Sequence, residues 1–309
     1  MIGLGAVGRR TAAQVAGAQA DKPKTMVETP VPVAAHALTR PLKDMGAWAA
    51  HFLAAEVPVL AETAMTLEEM RSREDDVDAH MLSGAIVGDP LMTLKVLAHA
   101  GTHRPARLVT DTETVTATLV LMGISPFFRT FGPQRTVEEQ LDPWPGAVEG
   151  LDAVVQRAHR AARFALAFAV HRMDSDAAVI HQAALLHDMA EMLLWCHAPL
   201  LALEIKRRQH ADPTLRSVHA QRDVLNVTLA DLQQALAKEW HLPELFLRVA
   251  DWRHALAPQV RNVLLAVRLA RHTANGWDNA ALPDDVSDIA ELLNLRPGPT
   301  LQLLREVDA

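Results

Sequence analysis

The residues with the most chemical potential are His187 and Asp188, adjacent within the apolar stretch AALLHDMAEMLLW that runs from Ala183 to Trp195. Imidazole and carboxylate are both metal ligands, and polar groups set in an apolar run need a partner, either a cation or a hydrogen bond. Metal-dependent hydrolysis requires more than two donors and an open position for water, so the company this pair keeps decides its chemistry. A further histidine lies in the helical segment that precedes the pair. The segment LDAVVQRAHRAARFALAFAVHRM reads as a long helix with Leu151, Val154, Val155, Ala158, Ala162, Ala165 and Ala169 along one stripe, which puts His159 near its buried side and Arg157, Arg160 and Arg163 on its wetter side.

Other reactive-looking residues carry less. His99 and His103 have no acidic neighbour at metal-ligand spacing and read as structural or solvent-facing. Cys196 is the single cysteine, which excludes an intramolecular disulfide and a cysteine-based zinc site, suits a reducing compartment and fits a small core residue. The run GLGAVG, with Gly3, Gly5 and Gly8, matches a dinucleotide-binding fingerprint but lacks the buried strand that must feed the first glycine, since only Met1 and Ile2 precede it. Lys206, Arg207 and Arg208 form a basic run that could bind phosphate, although cations at a helix C-terminus are also where the helix dipole favours them. Phe127, Phe128 and Phe131 read as a packing plug between helices rather than a stacking surface for bases.

The elements that position these residues are helices throughout. Residues 1–44 lack sustained periodicity and read as a flexible N-terminal segment. From Met45 the punctuation is clear: MGAWAAHFLAAE, a helix entered at Pro58, one from Asp75 through Val87 to Gly88, and one capped by Asp89 with Pro90 in its first turn that stops at Gly101. Asp111 opens the next, closed by Gly123. Pro143, Pro145 and Gly146 divide the chain into lobes spanning 45–142 and 143–280, followed by C-terminal helices over 281–309. In the second lobe one helix from Ala177 to His197 carries His187 and Asp188, with a further break expected near Asn226. No strand candidate stands out, so the fold class is all-α. The net charge of −7 and pI near 6.1 lack the basic excess of a nucleic-acid binder, no apolar run reaches membrane-spanning length, and no secretory signal is evident. The expected location is cytoplasmic.

Taken together these residues carry a resemblance. His159 in one helix and His187-Asp188 in the next are similar to the metal-dependent phosphohydrolases of the HD superfamily. The whole arrangement resembles the HDOD domain, a bacterial group of hydrolase-dead output domains with a two-lobed helical fold. VPVLAETAMTLEEM, SGAIVGDPLMTLKVLAHA and TVTATLVLMGI are similar to the N-terminal pattern of that family, and LADLQQALAKEWHLPELFLRVADWRH to its later Trp-x-Leu-Pro turn; the likeness covers about Phe52 to His272.

The resemblance implies that an active relative would complete its site with an aspartate from a late helix. At the aligned position this chain has Val267 or Arg268, neither of which ligates a cation, and Asp251 is the nearby acidic substitute, one helix early. Met189, Ala190 and Glu191 stand where active enzymes continue Ile-Gly-Lys, Leu229 where many relatives carry histidine, and Arg253-His254 where two histidines are common. His159, His187, Asp188 and Asp251 are therefore candidates for a vestigial metal site. The expectation is no catalytic residue, no bound metal and no cofactor, with Asp188 accepting a hydrogen bond from His159. The function implied is a non-catalytic signalling or regulatory output module, a pseudoenzyme that acts through an unknown protein partner and possibly a nucleotide ligand. The alternative is a metal-dependent phosphohydrolase of a nucleotide or cyclic dinucleotide using those four residues. A third reading is a nucleotide sensor without turnover.

Overall fold

The computed structural model describes residues 37–103 and 113–309, and every absence stated below refers to those residues. GLGAVG, most of the expected flexible segment and Asp111 lie outside them. The first half of the described chain contains α1 (Met45–Ala54), α2 (Ala61–Ser72), α3 (Ala79–Val87), α4 (Pro90–Thr102), α5 (Val115–Met122), α6 (Ile124–Thr130) and α7 (Val137–Leu141). The second contains α8 (Ala147–His171), α9 (Ala177–Leu185), α10 (Met189–His197), α11 (Pro199–Ala211), α12 (Ser217–Leu225), α13 (Leu229–Glu239), α14 (Glu244–Val249), α15 (Pro258–His272), α16 (Leu282–Leu293) and α17 (Pro297–Asp308). Among the described residues there is no strand, only an isolated backbone bridge between Val59 and Thr136, and no helix is long and apolar enough to cross a membrane.

Side-chain caps set many of the helix starts. Asp78 accepts from the amides of His80 and Met81, Thr114 from Ala117, and Thr136 forms a reciprocal capping box with Glu139. Asp89 does more than cap α4. Its Oδ1 accepts from the Leu91 and Met92 amides, while Oδ2 accepts from the Leu60 amide at 2.8 Å just before α2. One wholly buried carboxylate thus ties two helix starts together.

Four expected boundaries shift for physical reasons. The helix read from Asp75 begins at Ala79, where the Asp78 carboxylate caps it, and Glu74–Asp76 forms a separate 3-10 turn. The helix entered at Pro58 begins at Ala61, because Val59 spends its amide on Arg135 O and its carbonyl on the Val137 amide. Gly101 does not stop α4, which runs on to Thr102; a Cβ there would lie 2.2 Å from the Trp240 carbonyl oxygen, so the glycine permits close approach of the α13–α14 turn. The expected single helix from Ala177 to His197 is two helices, broken at Leu186, His187 and Asp188.

The spine is α8, whose face of Leu151, Val154, Ala158, Ala162, Ala165 and Ala169 is buried. Short alanine side chains allow neighbours to approach closely, and α9, α10, α11, α15 and α17 all pack on this helix. Contacts also join the two halves of the described chain: α1 packs on α13, and Trp48 Nε1 donates to Leu225 O at 2.9 Å.

Candidate functional site

His187 and Asp188 sit on the turn between α9 and α10. Gln233 of α13 pins that turn from both sides, accepting from the Ala190 amide at 3.0 Å and donating from Nε2 to Leu186 O at 2.9 Å. Asp188 occupies the residue before α10 but makes no side-chain cap to it. Its carboxylate faces across to α8 and α15 instead.

There it meets two guanidinium groups. Arg157 of α8 donates to Oδ2 from Nε at 3.1 Å and from Nη2 at 3.0 Å, and Arg271 of α15 approaches Oδ1 with Nη2 at 2.6 Å. His187 Nδ1 lies 2.9 Å from the same Oδ1. Arg157 Nη2 also reaches Glu191 Oε2 at 2.7 Å. Two arginines thus face two carboxylates, and both oxygens of Asp188, whose side chain is 8% exposed, are engaged.

Burial alone would raise the pKa of Asp188, but the His187 hydrogen bond and the charges of Arg271 and Arg157 outweigh it and hold the carboxyl well below its ordinary range. Glu191 moves the other way: burial raises it, the Asp188 charge adds to the rise, and Arg157 offsets only part. Burial opposes the charge on Arg157, which the Glu191 and Asp188 carboxylates more than restore.

This geometry corrects two expectations. Asp188 does not pair with His159: its donors are Arg157, Arg271 and His187. His159 instead lies among cationic or titratable neighbours, its pKa lowered by burial and by Arg163, while His181 is lowered by burial and by His159. Of the three arginines read onto the wet side of α8, Arg157 and Arg160 are only about a fifth exposed and engaged in ion pairs, while Arg163 is 54% exposed.

Asp251 is occupied within its own turn. Arg253 contacts both of its oxygens, from 2.6 Å at Nη2, and these hydrogen bonds are the first cause of a pKa near 2. Val267 is buried, and Arg268 turns away to Asp285 and Asp288 of α16 at 2.6 and 2.5 Å. The late helix does send a side chain to Asp188, one turn beyond Val267, but that side chain is Arg271, a cation.

Among the described residues no group of three or more His, Cys, Asp and Glu side chains is arranged to hold a metal ion. The donor set around Asp188 does not fit a divalent cation, because guanidinium groups fill the carboxylate's acceptor positions and would repel an incoming positive charge.

The other sequence candidates resolve locally. Arg207 and Arg208 both donate to Glu204, within 2.7–2.8 Å, which offsets part of the basic run at the end of α11. Phe127, Phe128 and Phe131 are buried, with the Phe127 ring centroid 5.3 Å from that of Phe128 and 5.0 Å from that of Phe131. His99 and His103 stack on each other at 4.1 Å, with His99 edge-on to Phe131. Cys196 is buried, and burial pushes its thiol well above the ordinary range.

The HDOD domain matches residues 57–256, more than half of the chain and spanning α2 to α14. The chain belongs to the HDOD family. No curated protein matches the sequence. Among solved structures it is similar to the MmoQ response regulator of Methylococcus capsulatus, with 19% identity and a TM-score of 0.62 over 82% of this chain and 99% of that one. It is also similar to a virulence factor of Campylobacter jejuni, with 16% identity and a TM-score of 0.58 over 85% of this chain and 93% of that one. At these identities the likeness concerns the fold. Arg271 lies beyond the matched HDOD span, so the helix that completes the Asp188 environment is supplied by the segment that follows it.

Proposed function

We propose that this HDOD protein is a non-catalytic signalling or regulatory module that works through contacts with a protein partner. The observation that carries this reading is the pairing of Asp188 with Arg157 and Arg271, which supply the positive charge that a divalent ion would bring. A guanidinium neutralises a carboxylate and fixes geometry, yet it has no open coordination position at which to bind and activate water. This arrangement supports a role that does not depend on metal-activated water. The similar Methylococcus protein is a response regulator, which is consistent with a signalling role.

The test combines metal analysis of protein purified without chelator with a phosphodiesterase assay in added manganese. The expected outcome is substoichiometric metal and no turnover. Stoichiometric metal with turnover that disappears in His187→Ala would establish the alternative, a metal-dependent phosphohydrolase. A nucleotide panel read by thermal shift separates sensing from catalysis: a reproducible rise in Tm with one nucleotide and no turnover adds a ligand to the regulatory role.

A further inference from the structure

Farther along α8 from Arg157, Arg160 forms a second ion cluster with a different purpose. Its Nε and Nη2 donate in parallel to Asp308 Oδ1 and Oδ2 at 2.8 and 2.7 Å, the two-pronged geometry that makes an arginine–carboxylate pair strong and directional. Trp277 Nε1 adds a third donor to Asp308 at 3.1 Å, and Arg163 Nη2 stands 3.7 Å from Oδ1. The remaining donors of Arg160 reach Thr273, with Nη1 to its carbonyl at 3.0 Å and Nη2 to Oγ1 at 2.8 Å. Arg305, one turn before Asp308, lies over the Trp277 ring at 5.8 Å.

Asp308 is the last residue of α17, and the rest of that helix is lightly held. Only Thr300 and Leu304 are buried among its 12 residues. Its neighbour α16, also 12 residues long, buries seven, including Val286, Ile289 and Leu293. α17 packs against α8 and α16, with Leu304 wholly buried and Leu301, Leu303 and Val307 partly so. The carboxylate at its C-terminal end faces Arg160 and Arg163, which offset the unfavourable placement of an acid at that end of a helix dipole.

We propose that α17 is a displaceable latch seated on a docking surface formed by α8 and α16. The partner of that surface is an amphipathic helix of the same chemistry, with a leucine edge and a carboxylate in its last turn. The inference rests on the protein-contact reading above and specifies where the contact occurs. The seated helix itself displays what the surface recognises: apolar side chains along one edge and an anion at the arginine pair. A competitor needs to replace two buried side chains, three partly buried ones and one ion cluster, a smaller exchange than extracting α16 with its seven buried residues. The latch and the Asp188 cluster share two helices: Arg160 also holds Thr273, two residues beyond Arg271, and Arg157 lies three residues before Arg160 on α8.

The test uses the full chain carrying Asp308→Arg, which sets a cation against Arg160 and Arg163, and a fluorescently labelled peptide with the sequence Pro297 to Ala309. Amide hydrogen exchange in α17 should accelerate at least tenfold in the variant while α8 and α15 stay protected. Fluorescence anisotropy should show the peptide binding the variant at least tenfold more tightly than wild type, and a peptide itself bearing Asp308→Arg should bind neither. Unchanged protection of α17 overturns the latch, and a released α17 whose vacated surface fails to take the peptide overturns the docking site. Asp308→Asn, which loses the charge without adding repulsion, carries the same two measurements under the same criteria if the arginine variant does not fold. Phosphodiesterase turnover would sink the regulatory reading while leaving these binding results untouched, so the two failures are separable.

Discussion

At the scale of single residues, the Asp188 cluster makes a quantitative distinction between its two acids. Asp188→Asn removes the charge that both Arg157 and Arg271 address and, with an NH2 group in place of one of the two oxygens they bind, leaves one guanidinium facing a donor, and breaking a buried pair from one side costs about 3 kcal/mol. Glu191→Gln retains an oxygen acceptor for Arg157 and removes a charge that burial disfavours, so its cost in urea denaturation should be much smaller. The pH dependence has a definite sign. Because the native pKa of Asp188 is depressed, its contribution is fully present above the unfolded value of about 4 and is lost as pH falls below it. The difference between wild type and Asp188→Asn should therefore be constant from pH 5 to 8 and shrink below about pH 4. A difference that vanished already at pH 5 would contradict the assignment. The pair itself was legible in the sequence, since a histidine and an aspartate in an apolar run must be satisfied. Its partners were not: arginines read as solvated by default, and only the fold shows that Arg157 and Arg271 converge from two helices. Glu191, a second acid in the same apolar run, was the signal that more positive charge was needed.

At the scale of elements, caps and proline entries located most helices, whereas the features that depend on a neighbouring element did not show in the chain. Gly101 reads locally as a helix stop, yet its missing Cβ is what admits the Trp240 carbonyl. Gly101→Ala would force this backbone contact apart, and overpacking of this severity should cost about 3 kcal/mol in thermal or urea denaturation. The seam between α1 and α10 offers a second check. His51 and His197 meet edge to face at 5.8 Å, each with a buried Nε2 lacking a hydrogen-bond partner. Burial, aided by the nearby charges of His51 and Arg135, lowers His197 to about 4. A histidine depressed in the native state binds fewer protons than its unfolded form between about pH 4 and 6.5, so stability falls as pH drops through that window. Between pH 7 and pH 5 this single group should remove about 2 kcal/mol. His197→Gln, read by urea denaturation at the two pH values, should lose that much less on acidification than wild type; equal losses would place the pH sensitivity elsewhere.

At the scale of the whole molecule, the HDOD match and the physical unit end in different places. The match stops at residue 256, before α15 begins. Yet α15 packs along α8 and α9, burying Val260, Val263, Leu265, Ala266, Leu269 and Ala270, and it delivers Arg271 to Asp188. Shortening the chain to end at Leu256 would expose the faces of α8 and α9 that α15 covers and leave Asp188 with one arginine in place of two. Loss of that much buried apolar area exceeds the margin by which a domain of this size is stable. The shortened chain should therefore keep much of its helix content, since the capped helices persist locally, but lose fixed packing. Retained far-ultraviolet dichroism, collapsed near-ultraviolet signal from the tryptophans and binding of a hydrophobic dye would mark that state. A shortened chain that unfolded cooperatively in urea with native tryptophan signals would show instead that the matched span folds independently and that α15 to α17 are an accessory to it.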